Sequence, residues 1–196
     1  MPTALPTGPR ARRAAAALAA AGVLALVLVG CGGTPAPTPS PEPSASAAEP
    51  IFASDEEALA AAKAAYERYL ATVDQLTQDG GQDPDRIRDA VADGYVEELL
   101  DSLKSLRESG NRTSGTTAYD SMEVLERHED DGVARVTVYV CLDVTGVRVL
   151  DANGADATPE GRDERRALQA FFESAAVGSE ELLPSGSESW SGDDFC

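Results

Sequence analysis

The segment VARVTVYVCLDV, residues 133–144, is the clearest strand signal in this chain of 196 residues. Four apolar side chains recur at every second position: Val136, Val138, Val140 and Leu142. Between them stand Arg135, Thr137, Tyr139, Cys141 and Asp143. Because successive side chains of a strand point to opposite faces, the valine row is expected to face a core, and the second row is expected to face away from it.

Weaker strand signals lie on both sides of this segment. Residues 116–127 and 147–151 show the same two-residue period, and residues 182–190 form a final extended segment. The acidic run 129–132 predicts a turn before the central strand, and the pair at 153–154, Asn-Gly, is a hairpin signal. Together these features predict an antiparallel sheet.

Residues 163–175 fit two patterns. Leu168, Phe171 and Phe172 have helical spacing, whereas Leu168, Ala170 and Phe172 alternate as they would in a strand. Periodicity alone does not separate the two structures and slightly favours a helix.

A long amphipathic helix is predicted ahead of the sheet, over residues 55–78. Its apolar side chains recur at helical spacing, and Ser54 with Glu57 forms a capping box at its start.

Two further helices are predicted before the strands. Asp83 and Pro84 supply an N-cap and a first-turn proline for a short helix. Asp93 begins a predicted break between this short helix and a third helix. The third helix is predicted to end at Gly110. Helices followed by antiparallel strands predict an α+β domain over residues 53–196.

Three short runs give this order a recognisable pattern: YVCLDV at 139–144, the strand at 147–151, and the ending from Trp190-Ser191-Gly192 to Phe195-Cys196. The order resembles the nuclear-transport-factor-like, or ketosteroid-isomerase-like, α+β cone, and it is similar to a set of actinobacterial lipoproteins that contain this cone. The resemblance implies three helices packed on a curved antiparallel sheet and favours a strand for residues 163–175. It also implies a pocket under the long helix, where relatives move a proton with an aspartate base and a tyrosine donor.

The N-terminal 30 residues have the character of a secretory signal peptide. Arg10, Arg12 and Arg13 precede an uncharged apolar stretch over residues 14–30. Its ending, Leu28-Val-Gly-Cys31, resembles the lipobox of bacterial lipoproteins, in which the cysteine is acylated and becomes the first residue of the mature protein. Cys31 is therefore the predicted lipidation site.

The lipobox resemblance implies at least two acyl chains on Cys31, which together hold a protein on a membrane permanently. It predicts a cell-membrane location on the extracytoplasmic face. Two alternatives stay open: an uncleaved anchor over the 17 residues 14–30, which is short for a membrane span, and a plain cleaved signal.

Residues 31–52 predict a disordered tether that begins with the acylated cysteine. Prolines alternate here with serine, threonine and alanine, so there is little apolar surface to bury. A polyproline II segment of this length, at about 3.1 Å per residue, has a reach of roughly 60 Å.

The charge of the chain excludes nucleic acid as a partner. The net charge is −18, and removal of the three arginines of the signal peptide leaves about −21. Such a field repels nucleic acid and anionic lipid headgroups.

Cys141 and Cys196 are the two cysteines left once Cys31 is assigned. An exported protein folds in an oxidising compartment, so we predict a disulfide between them. A buried free Cys141 with a reactive Cys196 is the alternative.

Candidate catalytic residues are present by type, and none lies in a recognisable motif: Tyr66, Tyr69, Asp74, Tyr95, Tyr119 and Asp143. His128 is the only histidine and is expected in an exposed turn, so zinc is not expected. The stretch 151–156 fails the calcium-loop pattern, which requires glutamate where Arg162 stands. No catalytic, metal or cofactor site is assigned.

Two functional hypotheses follow. The first is a non-catalytic envelope lipoprotein that binds a small ligand or an envelope protein. The second is an isomerase- or dehydratase-like enzyme that uses the pocket of the cone.

Overall fold

The computed structural model describes residues 49–192 and 195–196. The predicted signal peptide, the lipidation site Cys31 and the tether up to residue 48 lie outside the described residues. The elements of the described part are α1 (Asp55–Gln78), a 3₁₀ helix (Pro84–Asp89), α2 (Asp93–Ser109), β1 (Arg112–Ser114), β2 (Ala118–Asp130), β3 (Val133–Asp143), β4 (Arg148–Leu150), β5 (Arg165–Ser174) and β6 (Leu182–Ser189). The helices pack against antiparallel sheet, which confirms the predicted α+β class.

The main sheet has the strand order β2-β3-β5-β6, and each neighbouring pair is antiparallel. Strand β3 occupies an interior position and shows the predicted alternation. Val136, Val138 and Val140 are at most 1% exposed and pack in the core against α1. Arg135 is exposed on the other face, which we call the outer face of the sheet.

Strands β2 and β3 are joined by the two-residue turn Asp131-Gly132, whose φ angles are +51° and +74°. Two central residues with positive φ match the twist of a hairpin, so the strands can pair right up to the turn. Strand β2 consequently extends to Asp130, beyond the predicted end at residue 127. His128, expected in a turn, lies instead in β2 opposite Arg135, and it is exposed.

Residues 165–174 form a strand, as the resemblance to the cone indicated and periodicity alone did not. Leu168, Ala170 and Phe172 face the core, because they pair with Val140, Val138 and Val136 of β3. Phe171 fitted the helical pattern, but its side chain belongs to the outer row of the strand.

The predicted strand at 147–151 is shorter and pairs elsewhere. Strand β4 pairs with β1, a three-residue strand that the sequence pattern did not reveal, and the two form a separate small sheet. The chain passes close to itself beside this sheet, since a Cβ on Gly115 would lie 1.9 Å from the carbonyl oxygen of Gly146. Only glycine fits there.

The capping box at the start of α1 is present in a modified form. The Ser54 hydroxyl accepts from the Glu57 N–H at 3.2 Å, as predicted, and the Glu57 carboxylate accepts from the Ala53 N–H at 2.8 Å. Glu57 therefore reaches one residue further back than the usual motif, to the residue before the N-cap.

The second predicted helix is a single 3₁₀ segment of six residues, and Asp83 does not cap it. Asp83 has a φ of +46° and makes no side-chain hydrogen bond to the helix. Asp93 lies in the first turn of α2 rather than in a break. Gly110 ends α2 with a φ of +71°, as predicted.

The folded domain begins at Ile51, two residues before the predicted boundary of the tether. Phe52 is 5% exposed and belongs to the core between α1 and the sheet. The Ile51 N–H donates to Glu129 at 2.9 Å, and Arg127 donates to the Phe52 carbonyl at 3.0 Å. The composition shift after Pro50 marks the boundary better than the helix cap does, because the first apolar pair of the domain directly follows it.

Cys141 and Cys196 lie at disulfide distance on the outer face, with 5.4 Å between their Cα atoms. Cys141 is fully buried. Beside it, the ring of Tyr139 packs against Trp190 at 4.8 Å and Phe195 at 5.7 Å between centroids. The C-terminal residues therefore cover the second row of β3, where the alternation had placed Cys141.

We expect reduction of this cysteine pair to destabilise the domain by about 4 kcal/mol, because a bridge over 55 residues of sequence restricts the unfolded chain. Urea unfolding with and without a thiol reductant measures the difference. The double variant Cys141→Ser, Cys196→Ser is the control and should be insensitive to reductant. Two reactive thiols in the non-reduced, denatured protein would refute the bridge.

Candidate functional site

A cavity of about 390 Å³ opens between α1, the start of α2 and the inner face of the sheet. This volume lies within the usual range for sites that bind small molecules. Helix α1 contributes Tyr66 and Tyr69, α2 contributes Tyr95, and the sheet contributes Arg166 and Ala170.

The cavity lies where the inner-face side chains of β6 become small. Phe172 and Leu182, both 1% exposed, fill the space under one end of α1. Further along, Ala170 pairs with Ser187, and Ser189 follows on the same face of β6. Small side chains there leave unfilled the volume that large apolar ones occupy near Phe172.

The start of α2 is fastened to the edge strand, and this contact positions Tyr95. The Ala92 N–H donates to the Pro184 carbonyl at 2.9 Å. Three residues on, the Tyr95 hydroxyl lies 3.3 Å from the Ser187 hydroxyl. The two helices and β6 therefore meet at the cavity.

Three tyrosine rings form one wall of the cavity. Tyr66 and Tyr69 are neighbours on α1 with 5.9 Å between centroids, and Tyr69 lies 6.4 Å from Tyr95. Burial raises the pKa of Tyr66 and of Tyr69 far above the ordinary value, and the neighbouring Tyr95 raises both further. Tyrosine hydroxyls are neutral at physiological pH even without such a shift, and a hydrogen bond with Tyr95 already engages the Tyr69 hydroxyl.

Asp74, a candidate base, does not line this cavity but lines a neighbouring depression, and its partner Thr117 lines both. Its carboxylate accepts from the Thr117 N–H at 2.9 Å and from the Thr117 hydroxyl at 2.7 Å. The side chain is buried and holds the segment before β2 against α1. Asp74 is therefore a structural residue.

Asp143, the other aspartate candidate, lies in the outer row of β3. Hydrogen bonds from the Thr145 hydroxyl and N–H lower the pKa of its carboxyl group. Arg165 lies 3.5 Å away on the same face. The sheet separates this carboxylate from the tyrosines.

One further carboxylate, Glu188, belongs to the rim of the cavity. It pairs with Gln169, which pairs with Tyr139 of the outer row. The register therefore directs the Glu188 side chain to the outer face. Among residues 49–192, Glu98 of α2 is close enough to Tyr69 to raise the pKa of the Tyr69 hydroxyl, but Glu98 does not line the cavity.

Tyr119 contacts the tyrosine cluster from outside the cavity. Its ring packs edge-on against Tyr66 at 5.4 Å, and its hydroxyl donates to Glu67 at 3.1 Å. Partial burial, followed by this hydrogen bond, raises the pKa of Tyr119 to about 12. Of the four tyrosine candidates, three line the cavity and Tyr119 supports it.

Arg166 is a cavity residue that the sequence analysis missed. It pairs with Leu142 of the valine row, so it stands on the inner face. Its positive charge lowers the pKa of Tyr66, against the larger effect of burial. Once residues 163–175 are interpreted as a strand, the two-residue period places Arg166 on the same face as Leu168 and Ala170.

His128 is exposed on β2, and the loop 151–156 is closed by hydrogen bonds to Asp151. The Asp151 carboxylate accepts from the Ala155 and Asn153 N–H groups, which closes the turn and lowers the pKa of Asp151. Across the described residues, no group of three or more histidine, cysteine, aspartate or glutamate side chains could hold a metal ion. No helix in the same residues is long and apolar enough to cross a membrane.

The chain is similar in structure to a protein from a Streptomyces species, and comparisons of sequence give no match. No protein-family model and no curated protein sequence matches the chain. The solved structure of Aln2 from a Streptomyces species is similar at 16% identity and a TM-score of 0.39, over 65% of this chain and 85% of that one. A likeness at this level carries no argument about fold or function.

We expect the domain to lose stability as the pH rises above about 10. In the unfolded chain tyrosines ionise near that value, whereas Tyr66, Tyr69 and Tyr119 have raised pKa values when folded. Their protonated forms favour the folded state, and this contribution is lost as the pH rises towards the folded pKa values. Phenolate absorbance, recorded with circular dichroism, should show these groups ionising together with unfolding.

The variant Tyr119→Phe is the control, and it should weaken the dependence of stability on alkaline pH. Ionisation of all five tyrosines near pH 10 in a protein that stays folded would contradict the expectation.

Proposed function

We propose that this protein is an exported lipoprotein, anchored through acylated Cys31 to the extracytoplasmic face of the cell membrane. We propose further that its domain binds a small molecule in the tyrosine-lined cavity and does not transform it. The observation that carries the second part is an open cavity of about 390 Å³ that is lined by aromatic rings and neutral hydroxyls.

Binding is favoured over catalysis by the positions of the carboxylates. An isomerase or dehydratase of the cone type would need a carboxylate within hydrogen-bond reach of the substrate. Asp74 is held by Thr117, and Asp143 lies on the outer face of the sheet. Tyrosine donors remain, and these bind and orient a ligand without removing a proton from it.

The resemblance to the nuclear-transport-factor-like cone supports the same site. In that fold the long helix covers the inner face of a curved sheet and leaves a pocket beneath it. Here α1 and the inner face of β3 and β5 line the cavity, with Tyr66 on one side and Ala170 on the other. The lipobox and the proline-rich tether support a position outside the cell membrane.

For the anchor, Cys31→Ser is expected to remove the acyl chains and shift the protein from the membrane fraction to the soluble fraction. Fractionation followed by intact-mass analysis measures both changes. The matched control is Ser44→Ala in the tether, which should stay lipidated and membrane-bound. A Cys31→Ser protein that remains in the membrane with its first 30 residues attached would indicate an uncleaved anchor instead.

For the cavity, Ser187→Trp should abolish the binding of neutral bicyclic aromatic probes such as naphthalene-2-carboxamide. Ser187 is exposed at the rim and lies beside Tyr95, so an indole there occupies the cavity without disturbing the core. Equilibrium dialysis of the mature lipoprotein in nanodiscs, with empty nanodiscs as the blank, measures binding.

The control Ser185→Trp lies on the same strand and outside the cavity lining, and it should retain affinity. Equal binding by the wild type and Ser187→Trp would place the probe elsewhere and contradict the proposal.

A further inference from the structure

The cavity has a cationic group on its inner wall although the protein is strongly acidic. Acidic residues outnumber lysine and arginine by 34 to 16. Arg166 nevertheless stands in the core-facing row of β5, beside Leu142 and two residues before Leu168. All three line the cavity. Arg166 itself is exposed, so it stands at the solvent-accessible end of this row, where the cavity opens.

Among the residues that the structure describes, Arg166 differs from the two neighbouring arginines in forming no side-chain hydrogen bond or ion pair with the protein. Arg165 forms ion pairs with Asp120 and Asp143 on the outer face. Arg162 donates to the carbonyls of Val144 and Val147 and lies 3.6 Å from Glu164.

Within residues 49–192, no carboxylate lies within 4.0 Å of the Arg166 guanidinium nitrogens. Asp163 borders an adjoining depression together with Arg166 and forms no ion pair with it.

The chemistry of a guanidinium beside neutral phenols selects an anion. Arginine presents several N–H donors in a planar fork that matches the two oxygens of a carboxylate. Tyr66 lines the same cavity as Arg166, whose positive charge lowers the pKa of the Tyr66 hydroxyl. The tyrosine rings offer faces and edges that suit a planar, apolar body.

We propose that the cavity is specific for a planar, apolar carboxylic acid, with its ring against Tyr66, Tyr69 and Tyr95 and its carboxylate on Arg166. This inference rests on the proposed function, because it names the class of ligand for the same cavity. A single negative charge is required. The surrounding acidic surface repels polyanions, whereas one carboxylate has only to pair with one arginine.

The test compares three probes with the same bicyclic body and different charge: naphthalene-2-carboxylate, naphthalene-2-carboxamide and (naphthalen-2-yl)methylammonium. Equilibrium dialysis of the mature lipoprotein in nanodiscs, against empty nanodiscs, measures each Kd. We expect the carboxylate to bind about 10-fold more tightly than the amide, a size typical of one charge-assisted hydrogen-bonded pair. The ammonium probe should bind most weakly.

Arg166→Gln should remove the preference for carboxylate over amide, so that the ratio of the two Kd values falls to about one. Arg135→Gln is the matched control, because Arg135 is also an exposed arginine of the main sheet but stands on the outer face. It should keep the full preference. Thermal unfolding checks that both variants are folded, which we expect because both side chains are exposed.

The outcomes separate the two proposals. Equal affinity for carboxylate and amide, both lost in Ser187→Trp, would overturn the anion specificity and leave the cavity as a binding site. A carboxylate preference that survives Arg166→Gln would overturn the role of Arg166. Failure of all three probes to bind the wild type would contradict both the inference and the proposed function.

Discussion

The pairing of β3 along both of its edges is the constraint on which this domain depends. Strand β2 hydrogen-bonds to one edge and β5 to the other, so the two faces of β3 cannot exchange without breaking both ladders. A shift of one residue would carry the valine row to the outer face and leave the core unfilled. The inner row therefore has to meet α1, and Cys141 has to meet the C-terminal residues.

The cavity follows from the same register. Because Val140 pairs with Leu168 and Leu142 pairs with Arg166, the inner face changes from apolar to cationic within two residues of β5. Next to β5, the edge strand β6 has Ser187 and Ser189 on its inner face, where leucine side chains would fill the space. The volume under this part of α1 therefore stays open. The packed core and the cavity thus lie at opposite ends of the inner face of the sheet. On β6 the change from Leu182 to Ser187 separates the two.

The tyrosines connect packing to chemistry. Tyr66 belongs to the core cluster and also lines the cavity, with its ring against Tyr119 and Phe172. These contacts hold the ring, and burial raises the pKa of its hydroxyl further above physiological pH. A rigid and neutral donor costs little conformational entropy when a ligand binds. In the function proposed here, the residues that stabilise the fold also prepare the site.

Local pattern was sufficient for much of the fold. The alternation in residues 133–144, the serine cap of α1 and the glycine that ends α2 act within a few residues, and the structure confirms all three. Strand β1 and the entry of Phe52 into the core were missed, since each depends on a partner distant in sequence.

The candidate site shows the same division between local and long-range information. The sequence indicated which tyrosines and aspartates were available, and three of the four tyrosines do line one cavity. It could not indicate that Asp74 binds Thr117, or that Arg166 lies within electrostatic range of Tyr66, because these residues are separated by 43 positions or more. The spacing of apolar residues along the chain determines which face of a helix or strand is buried. A cavity forms where such faces from distant segments pack together, and local spacing does not determine how they pack.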